Sequence, residues 1–203
     1  MSSGFQTLHL DAMVPPFVDN HSLDFEGIRD LLFPCSTRAN YSLHVMSNNP
    51  LEYLAANFPE HSGEKTKRII VPYEIDLGML LETMKHVRSL GIEFGIAINP
   101  GTTVQDISRF LEKDSGVDEI LVMTVQPGQY GAKFLGYPLG KIKEIRDAGF
   151  QGTIGIDGGA NEFTIRLITQ SRPSYVVSGS YLQKASDKPA AARVLQDCLE
   201  AGR

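Results

Sequence analysis

The sequence predicts an α/β protein, and within that class a (β/α)8 TIM barrel. Three observations predict it. Short aliphatic or β-branched runs alternate with loops and amphipathic stretches along all 203 residues, which implies βαβ units and a parallel sheet. Neither GxGxxG nor GxxxxGK[ST] follows a strand, which weakens the two commonest nucleotide-binding alternatives. No linker or shift in composition divides the chain, so residues 1–203 are expected to form a single barrel domain.

The strand candidates are short apolar runs bounded by turn residues. They cover residues 7–12, 41–46, 68–73, 93–98, 119–124, 153–156 and 175–178. A complete barrel has eight strands. We therefore expect the first strand and helix of the barrel to be missing from this chain.

Helix candidates follow most of these strands. The clearest covers residues 77–90, with Asp76 as its N-cap and Gly91 where a C-terminal glycine stop belongs. Pro50 and Pro138 fit first-turn positions of two further helices. Other helices are expected to start near Thr103, Asn161 and Lys188.

Composition excludes several functional classes. The formal net charge is −5, and no long Lys/Arg run occurs, which argues against a nucleic-acid-binding surface. No apolar run approaches the roughly 20 residues that span a bilayer, and no secretory signal is recognisable. Cys35 and Cys198 lie far apart in no metal-binding spacing, so both are expected to be reduced thiols in a cytoplasmic protein.

Polar side chains interrupt the ends of three strands. In "LHLDAM", His9 and Asp11 share the face opposite the aliphatic residues, and His44 does the same in "SLHVM". Asp157 ends the strand of "IGIDGG". In a barrel these side chains would point inward and meet at the carboxyl-end mouth. Two imidazoles and two carboxylates suit one divalent ion, with Zn²⁺, Fe²⁺, Mn²⁺ and Co²⁺ all compatible. Taken alone, each histidine could instead be a hydrogen-bonded interior residue, and Asp157 could be a turn residue before Gly-Gly.

Glycines follow the last strands. Gly158 and Gly159 come after one strand, and Gly179 and Ser180 follow the next. Barrel loops in these positions often bind a phosphate group through backbone N–H groups. Tight turns are the other interpretation.

The motifs "LHLDAM", "LHVM", "INPGT", "LVMTVQPG", "IDGG" and "SGS" occur in the order found in ribulose-phosphate 3-epimerases, so the chain from about Leu8 to Leu182 resembles that family. The resemblance implies a (β/α)8 TIM barrel of the ribulose-phosphate-binding type, with one divalent metal ion, that interconverts ribulose 5-phosphate and xylulose 5-phosphate. A related branch of the family acts on a hexulose 6-phosphate. The resemblance implies His9, Asp11, His44 and Asp157 as metal ligands, with Asp11 and Asp157 as the catalytic acid/base pair. It also implies a substrate pocket lined by His44, Met13, Met46, Met123, Gly128, Gly131, Gly158, Gly159, Gly179 and Ser180.

The chain departs from the family pattern at two loops of the mouth. Residues 14–17 read Val-Pro-Pro-Phe where the family usually has Asp-Gly-His-Phe, and Tyr130 stands where the phosphate loop has a glycine. These changes leave open a barrel that binds a sugar phosphate or a partner protein with little turnover. A decarboxylase of the same superfamily is disfavoured, because its Asp-x-Lys-x-x-Asp signature would require a lysine at Met13. The expected partners are a phosphorylated ketose and further copies of the chain, with no nucleic acid and no membrane.

Overall fold

Seven parallel strands form the centre of the protein. The computed structural model describes residues 7–20, 40–57, 66–128 and 131–201. Across these residues the strands are β1 (Thr7–Met13), β2 (Asn40–Met46), β3 (Thr66–Pro72), β4 (Glu93–Ile98), β5 (Glu119–Met123), β6 (Thr153–Asp157) and β7 (Tyr175–Val177). All seven predicted strands are therefore confirmed, with ends that differ by one or two residues.

The strands pair in chain order, β1-β2-β3-β4-β5-β6-β7, and every pair is parallel. This sheet curls into a nearly closed barrel, as the sequence predicted. Among the described residues, β1 and β7 each pair with a strand on one side only. Every residue of β7 is half-buried, whereas every residue of β5 is buried.

Helices follow strands around the outside of the barrel. In the described parts of the chain they are α1 (Pro50–Asn57), α2 (Leu77–Ser89), α3 (Gly140–Asp147), α4 (Ile165–Gln170), α5 (Ser180–Lys184) and α6 (Lys188–Ala201). Asp76 caps α2 as predicted, because its Oδ1 accepts a hydrogen bond of 3.0 Å from the Met79 backbone N–H. Gly91 follows with φ +73°, the left-handed conformation typical of a glycine stop.

Two apolar layers hold the fold together. The outer layer packs the strands against the helices and includes Leu43, Val45 and Ile96, each at most 2% exposed. A smaller layer fills the barrel interior and includes Ile70 and Leu121, which are fully buried. Burial of each such side chain contributes about 1.5–3 kcal/mol. Because successive side chains of a strand point to opposite faces, every second strand residue points into the barrel.

The prediction of a helix near Thr103 is wrong. The Asp106 carboxylate accepts hydrogen bonds from the Thr103 backbone N–H at 2.8 Å and from its hydroxyl at 2.6 Å. Such local bonds compete with the helical pattern, and the segment forms turns followed by one 3₁₀ turn at Ser108–Phe110. The helix near Asn161 starts later, at Ile165, because Asn161 Oδ1 accepts from the Thr164 backbone N–H and holds a turn first. The helix at Pro138 begins as a 3₁₀ turn, Tyr137–Leu139, before α3.

Some sequence-based predictions concern residues outside the described ranges. These are the thiol of Cys35 and the altered loop position Tyr130. Cys198 on α6 is a free, half-buried thiol, as expected for a reduced cysteine.

Candidate metal centre at the barrel mouth

Three strands carry the candidate site. β1 supplies His9 and Asp11, β2 supplies His44, and β6 ends with Asp157. Asp11 lies directly opposite His44 in the register of β1 and β2. Their neighbours Ala12 and Val45 face the helices and are fully buried. The alternation therefore aims these polar side chains into the barrel, as the sequence predicted.

The four side chains meet at one point. One ligand atom from each of His9, Asp11, His44 and Asp157 lies within 4.8 Å of all the others. Asp11 Oδ1 lies 3.4 Å from His9 Nε2 and 3.3 Å from His44 Nδ1. Asp157 Oδ2 lies 3.8 Å and 3.9 Å from the same two nitrogens. Each carboxylate thus approaches both imidazoles.

The two carboxyl groups differ in their exposure to solvent. The Asp11 side chain is 41% exposed, whereas that of Asp157 is 13% exposed. Burial, followed by the nearby negative charge of Asp11, raises the pKa of Asp157 to about 6. Burial also acts to raise the pKa of Asp11, but hydrogen bonds from His44 and His9 and their charge outweigh it and lower that pKa far below its usual range. The pKa values of the two carboxyl groups are therefore shifted in opposite directions.

The imidazole of His9 is polarised by the same carboxylates. Burial lowers its pKa, but the hydrogen bond and charge of Asp11 and the charge of Asp157 more than offset this effect, so the pKa is raised. Among the described residues, His9 Nδ1, His9 Nε2 and His44 Nδ1 are buried without a well-formed hydrogen bond. Buried polar atoms without a partner are costly. A divalent cation held by His9 Nε2, His44 Nδ1 and the two carboxylates would give these two buried nitrogens a partner, so the residues fit one metal ion.

Comparison with known proteins agrees with this geometry. A model of the ribulose-phosphate 3 epimerase family matches residues 1–183. The chain belongs to this family of carbohydrate epimerases. The ribulose-phosphate 3-epimerase of Chlamydia muridarum is 33% identical over 188 residues, covering 90% of this chain and 78% of that protein. The cytoplasmic isoform of ribulose-phosphate 3-epimerase from Oryza sativa subsp. japonica is 27% identical over 197 residues, covering 97% and 84%.

Solved structures support the barrel fold. The 3-hexulose-6-phosphate synthase of Salmonella typhimurium superposes with a TM-score of 0.64 at 17% identity, covering 88% of this chain and 79% of that one. The 3-keto-L-gulonate-6-phosphate decarboxylase of Vibrio cholerae gives 0.64 at 16% identity, covering 88% and 78%. At this identity the likeness concerns the fold alone. No helix in the described ranges is both long and apolar enough to cross a membrane.

The methionines that resemble the family's pocket residues lie beside the cluster. Met13 pairs with Met46 across β1 and β2, one inward position beyond Asp11 and His44. Met123 pairs with Asp157 across β5 and β6 and belongs to the apolar layer inside the barrel. Thioether side chains therefore border the candidate site from two sides.

The glycines after β6 are required by packing. At Gly158, φ is +118°, and a β-carbon would lie 2.6 Å from Val125 Cγ2. At Gly159, φ is +65°, and a β-carbon would lie 2.8 Å from Phe134 Cβ. Both positions therefore need glycine for the local fold, whether or not their N–H groups also contact a phosphate.

The loop after β7 lies close to the loop after β6. Ser178 Oγ donates a hydrogen bond of 3.0 Å to the Ala160 carbonyl and joins the two loops. Gly179 and Ser180 follow, and a β-carbon at Gly179 would meet no atom within 4 Å. Gly131 has φ +74°, and a β-carbon there would lie 3.7 Å from Lys184 Nζ. Open space and a cation therefore lie next to these backbone groups.

The rebuilt loop after β1 closes against the loop after β5. Asn20 Nδ2 donates to the Gly128 carbonyl, and a β-carbon at Gly128 would lie 2.6 Å from Val18 Cβ. A cavity of about 300 Å³ lies between the loops and is lined by Phe17, Val18, Asp19, Asn20, Pro127 and Gly128. The substituted "VPPF" segment thus leads into one wall of this cavity.

Sequence reasoning missed a second polar cluster in the barrel interior. Arg68 on β3 is 6% exposed and Glu119 on β5 is fully buried, and the two form an ion pair. The signal was present, because both residues occupy inward-facing positions of apolar strands. Only the three-dimensional structure shows that they meet.

Proposed function

We propose that this protein epimerises a phosphorylated ketose at C3, with ribulose 5-phosphate and xylulose 5-phosphate as the leading substrate pair. The observation that carries the proposal is the cluster of two histidines and two carboxyl groups at the mouth, in which the pKa values of the carboxyl groups are shifted in opposite directions. Pairs of carboxyl groups separated in this way are typical of acid/base catalysis. Family membership supports the same reaction.

Two carboxyl groups match what inversion at C3 requires. One group takes the C3 proton from one face of the substrate, and the other delivers a proton to the opposite face. In one direction Asp11, whose lowered pKa keeps it ionised, would accept the proton, and Asp157, whose pKa is raised, would deliver one. In the reverse direction their roles exchange.

A divalent cation would be held by His9, Asp11, His44 and Asp157. When bound, it supplies Lewis-acid stabilisation for the negative charge that develops on the substrate oxygens next to C3. The buried imidazole nitrogens, which make no well-formed hydrogen bond in the described part of the chain, support this assignment. The histidines also orient the two carboxyl groups, since each imidazole approaches both.

The remaining pocket residues would bind the substrate. Met13, Met46 and Met123 would form a polarizable apolar wall beside the planar enediolate intermediate. Backbone N–H groups of the glycine loops, chiefly at Gly179 and Ser180, would receive the phosphate. A hexulose 6-phosphate, the substrate of the related branch, would need the same wall and loops with more space between them.

A coupled assay tests the proposal. Purified protein is loaded in turn with Zn²⁺, Fe²⁺, Mn²⁺ or Co²⁺, and the conversion of ribulose 5-phosphate is followed with excess auxiliary enzymes. Metal-dependent turnover is expected, and Asp157→Asn and Asp11→Asn should each reduce it at least 100-fold, the lower range for loss of an acid/base group. Asp114→Asn is the matched control, because Asp114 is exposed in a turn with φ 70°, which asparagine adopts readily.

The outcomes separate the alternatives. Turnover of a hexulose 6-phosphate alone would move the proposal to the related branch. Stoichiometric metal with no turnover of any ketose phosphate would overturn the epimerase and favour a sugar-phosphate-binding barrel.

We also propose that the protein works in the cytoplasm as a homo-oligomer with one barrel domain per chain. Support comes from the rice relative, which is named a cytoplasmic isoform, and from the single sheet that connects all described strands. Light scattering coupled to size-exclusion chromatography tests the assembly, and a monomeric mass at all concentrations would contradict it.

A further inference from the structure

A second polar network lies in the barrel interior below the metal cluster. We call it the floor network and define it as Arg68, Glu93, Glu119 and Tyr175. Arg68 donates to Glu93 Oε2 from Nε at 3.2 Å and from Nη2 at 2.8 Å, and it pairs with Glu119. The Tyr175 hydroxyl donates to Glu119, and the Arg68 guanidinium lies 5.6 Å from the centre of the Tyr175 ring. These contacts join β3, β4, β5 and β7.

The register places this network next to the cluster. His9 pairs with Ser42, Ser42 with Arg68, and Arg68 with Glu93. The network therefore begins at the level of His9, one inward position below Asp11 and His44. Buried ion pairs rarely add net stability compared with apolar side chains. Their presence here points to a requirement for fixed geometry.

Tyr175 reaches the strand that carries Asp157. Gly155 pairs with Tyr175 and precedes Asp157 by two residues on the same face of β6. A β-carbon at Gly155 would lie 2.3 Å from Tyr175 Cζ and 2.5 Å from its hydroxyl oxygen. The tyrosine ring thus occupies the space of the missing side chain and rests directly against the backbone that leads to Asp157.

Tyr175 packs against the inner apolar layer, but its own strand gives it little further support. β7 has three residues, pairs only with β6 among the described strands, and is half-buried throughout. The hydrogen bond from the Tyr175 hydroxyl to Glu119 connects β7 to β5, the strand on the far side of β6. Burial raises the pKa of the Tyr175 phenol above its usual range, so the phenol stays protonated and can donate to Glu119.

We propose that Tyr175, held by Glu119 and Arg68, is a positioning residue that sets the height and direction of Asp157 in the metal cluster. The inference rests on the proposed function, because it concerns the geometry of the same cluster. It differs from a purely stabilising role in one respect. Loss of the Tyr175 hydroxyl should lower the free energy of metal binding by more than it lowers the free energy of unfolding of the barrel.

The experiment compares Tyr175→Phe with Tyr73→Phe. The Tyr73 hydroxyl also donates one hydrogen bond, at 2.7 Å to the Asp106 carbonyl, but Tyr73 packs against the outer apolar layer and not in the barrel interior. Each variant is purified, stripped of metal and studied by urea unfolding, by Zn²⁺ competition with a chromophoric chelator and by the visible spectrum of bound Co²⁺. Turnover of ribulose 5-phosphate is recorded separately.

The expected result is a selective effect on the cluster. Tyr175→Phe should weaken Zn²⁺ binding by about 10-fold, the lower end for residues that orient metal ligands, and should shift the Co²⁺ bands. Tyr73→Phe should keep wild-type affinity and spectrum. Equal effects on metal affinity in both variants, or wild-type binding by Tyr175→Phe, would overturn the proposal.

A second variant keeps the test decisive if Tyr175→Phe does not fold. Glu119→Gln replaces the carboxylate that accepts from the Tyr175 hydroxyl with a weaker amide acceptor and removes the charge opposite Arg68, so both interactions that hold Tyr175 are weakened. It should weaken Zn²⁺ binding in the same direction, and unchanged affinity would contradict the positioning role. Absence of turnover in a wild-type protein that binds metal would refute the epimerase but not the role of Tyr175. Absence of metal binding in the wild-type protein would refute both.

Discussion

Asp157→Asn should stabilise the metal-free protein at neutral pH. In the folded protein, burial and the neighbouring charge of Asp11 raise the pKa of Asp157 from 3.8 to about 6. The folded state therefore binds this proton more tightly than the unfolded state does. The wild-type protein loses stability as the pH rises from about 4 to about 6, because the carboxyl group must ionise in a buried site.

The size of the effect follows from the pKa difference. A shift of about 2 units corresponds to about 3 kcal/mol once the group is fully ionised in both states. Asparagine does not ionise, so it escapes this cost. The gain in the free energy of unfolding should be small at pH 4, well under about 1 kcal/mol, and should approach about 3 kcal/mol at pH 8. His9, His44 and Asp11 face the carboxyl group and are unchanged in the variant.

Urea unfolding in the presence of a chelator at pH 4, 6 and 8 measures this difference directly. Addition of saturating Zn²⁺ should reverse the order, because the wild-type protein gains binding energy that the variant has lost. A variant that is less stable than wild type at pH 8 without metal would refute the reasoning. A difference that does not depend on pH would refute it equally.

Two further substitutions test the loops around the mouth. Gly159→Ala should destabilise the fold by about 2 kcal/mol or more, because φ is +65° and Phe134 blocks the new β-carbon; Gly101→Ala, with open space at its β-carbon, should change it by less than about 0.5 kcal/mol. Thermal unfolding measures both, and equal effects would contradict the packing argument. Lys141→Met should cost about 1–3 kcal/mol in urea unfolding, because the buried ammonium donates to the Asn99 and Pro100 carbonyls at 2.8 and 2.9 Å. Lys143→Met on the exposed face of the same helix should have little effect, and a loss as large as that at Lys141 would contradict the assignment.

The candidate site could be predicted largely from the sequence, for a simple geometric reason. A strand repeats every two residues, so "LHLDAM" alone places His9 and Asp11 on the face opposite Leu8 and Leu10. Parallel strands also bring their carboxyl ends to one edge. His44 and Asp157 could therefore be assigned to the same mouth without knowledge of any distance.

The remaining features depend on interactions that the sequence does not display. The turn at Thr103 replaces a helix because one carboxylate, Asp106, bonds to local backbone and hydroxyl groups. The floor network depends on which interior side chains meet across the barrel, and this follows from strand stagger. Gly158 and Gly159 suggested a phosphate loop, whereas the structure shows that Val125 and Phe134 already require glycine there.

The central claim is that one carboxyl group removes the C3 proton and the other delivers a proton to the opposite face. The origin of the hydrogen at C3 of the product tests this claim most directly. Metal-loaded protein is incubated with ribulose 5-phosphate in D₂O, and the first molecules of xylulose 5-phosphate are analysed by ¹H NMR and mass spectrometry. Two carboxyl groups on opposite faces predict that the product carries deuterium at C3 from its first appearance, since the proton removed and the proton delivered occupy different groups. Product that retains the original C3 hydrogen would contradict this account, and so would a failure of any product to form.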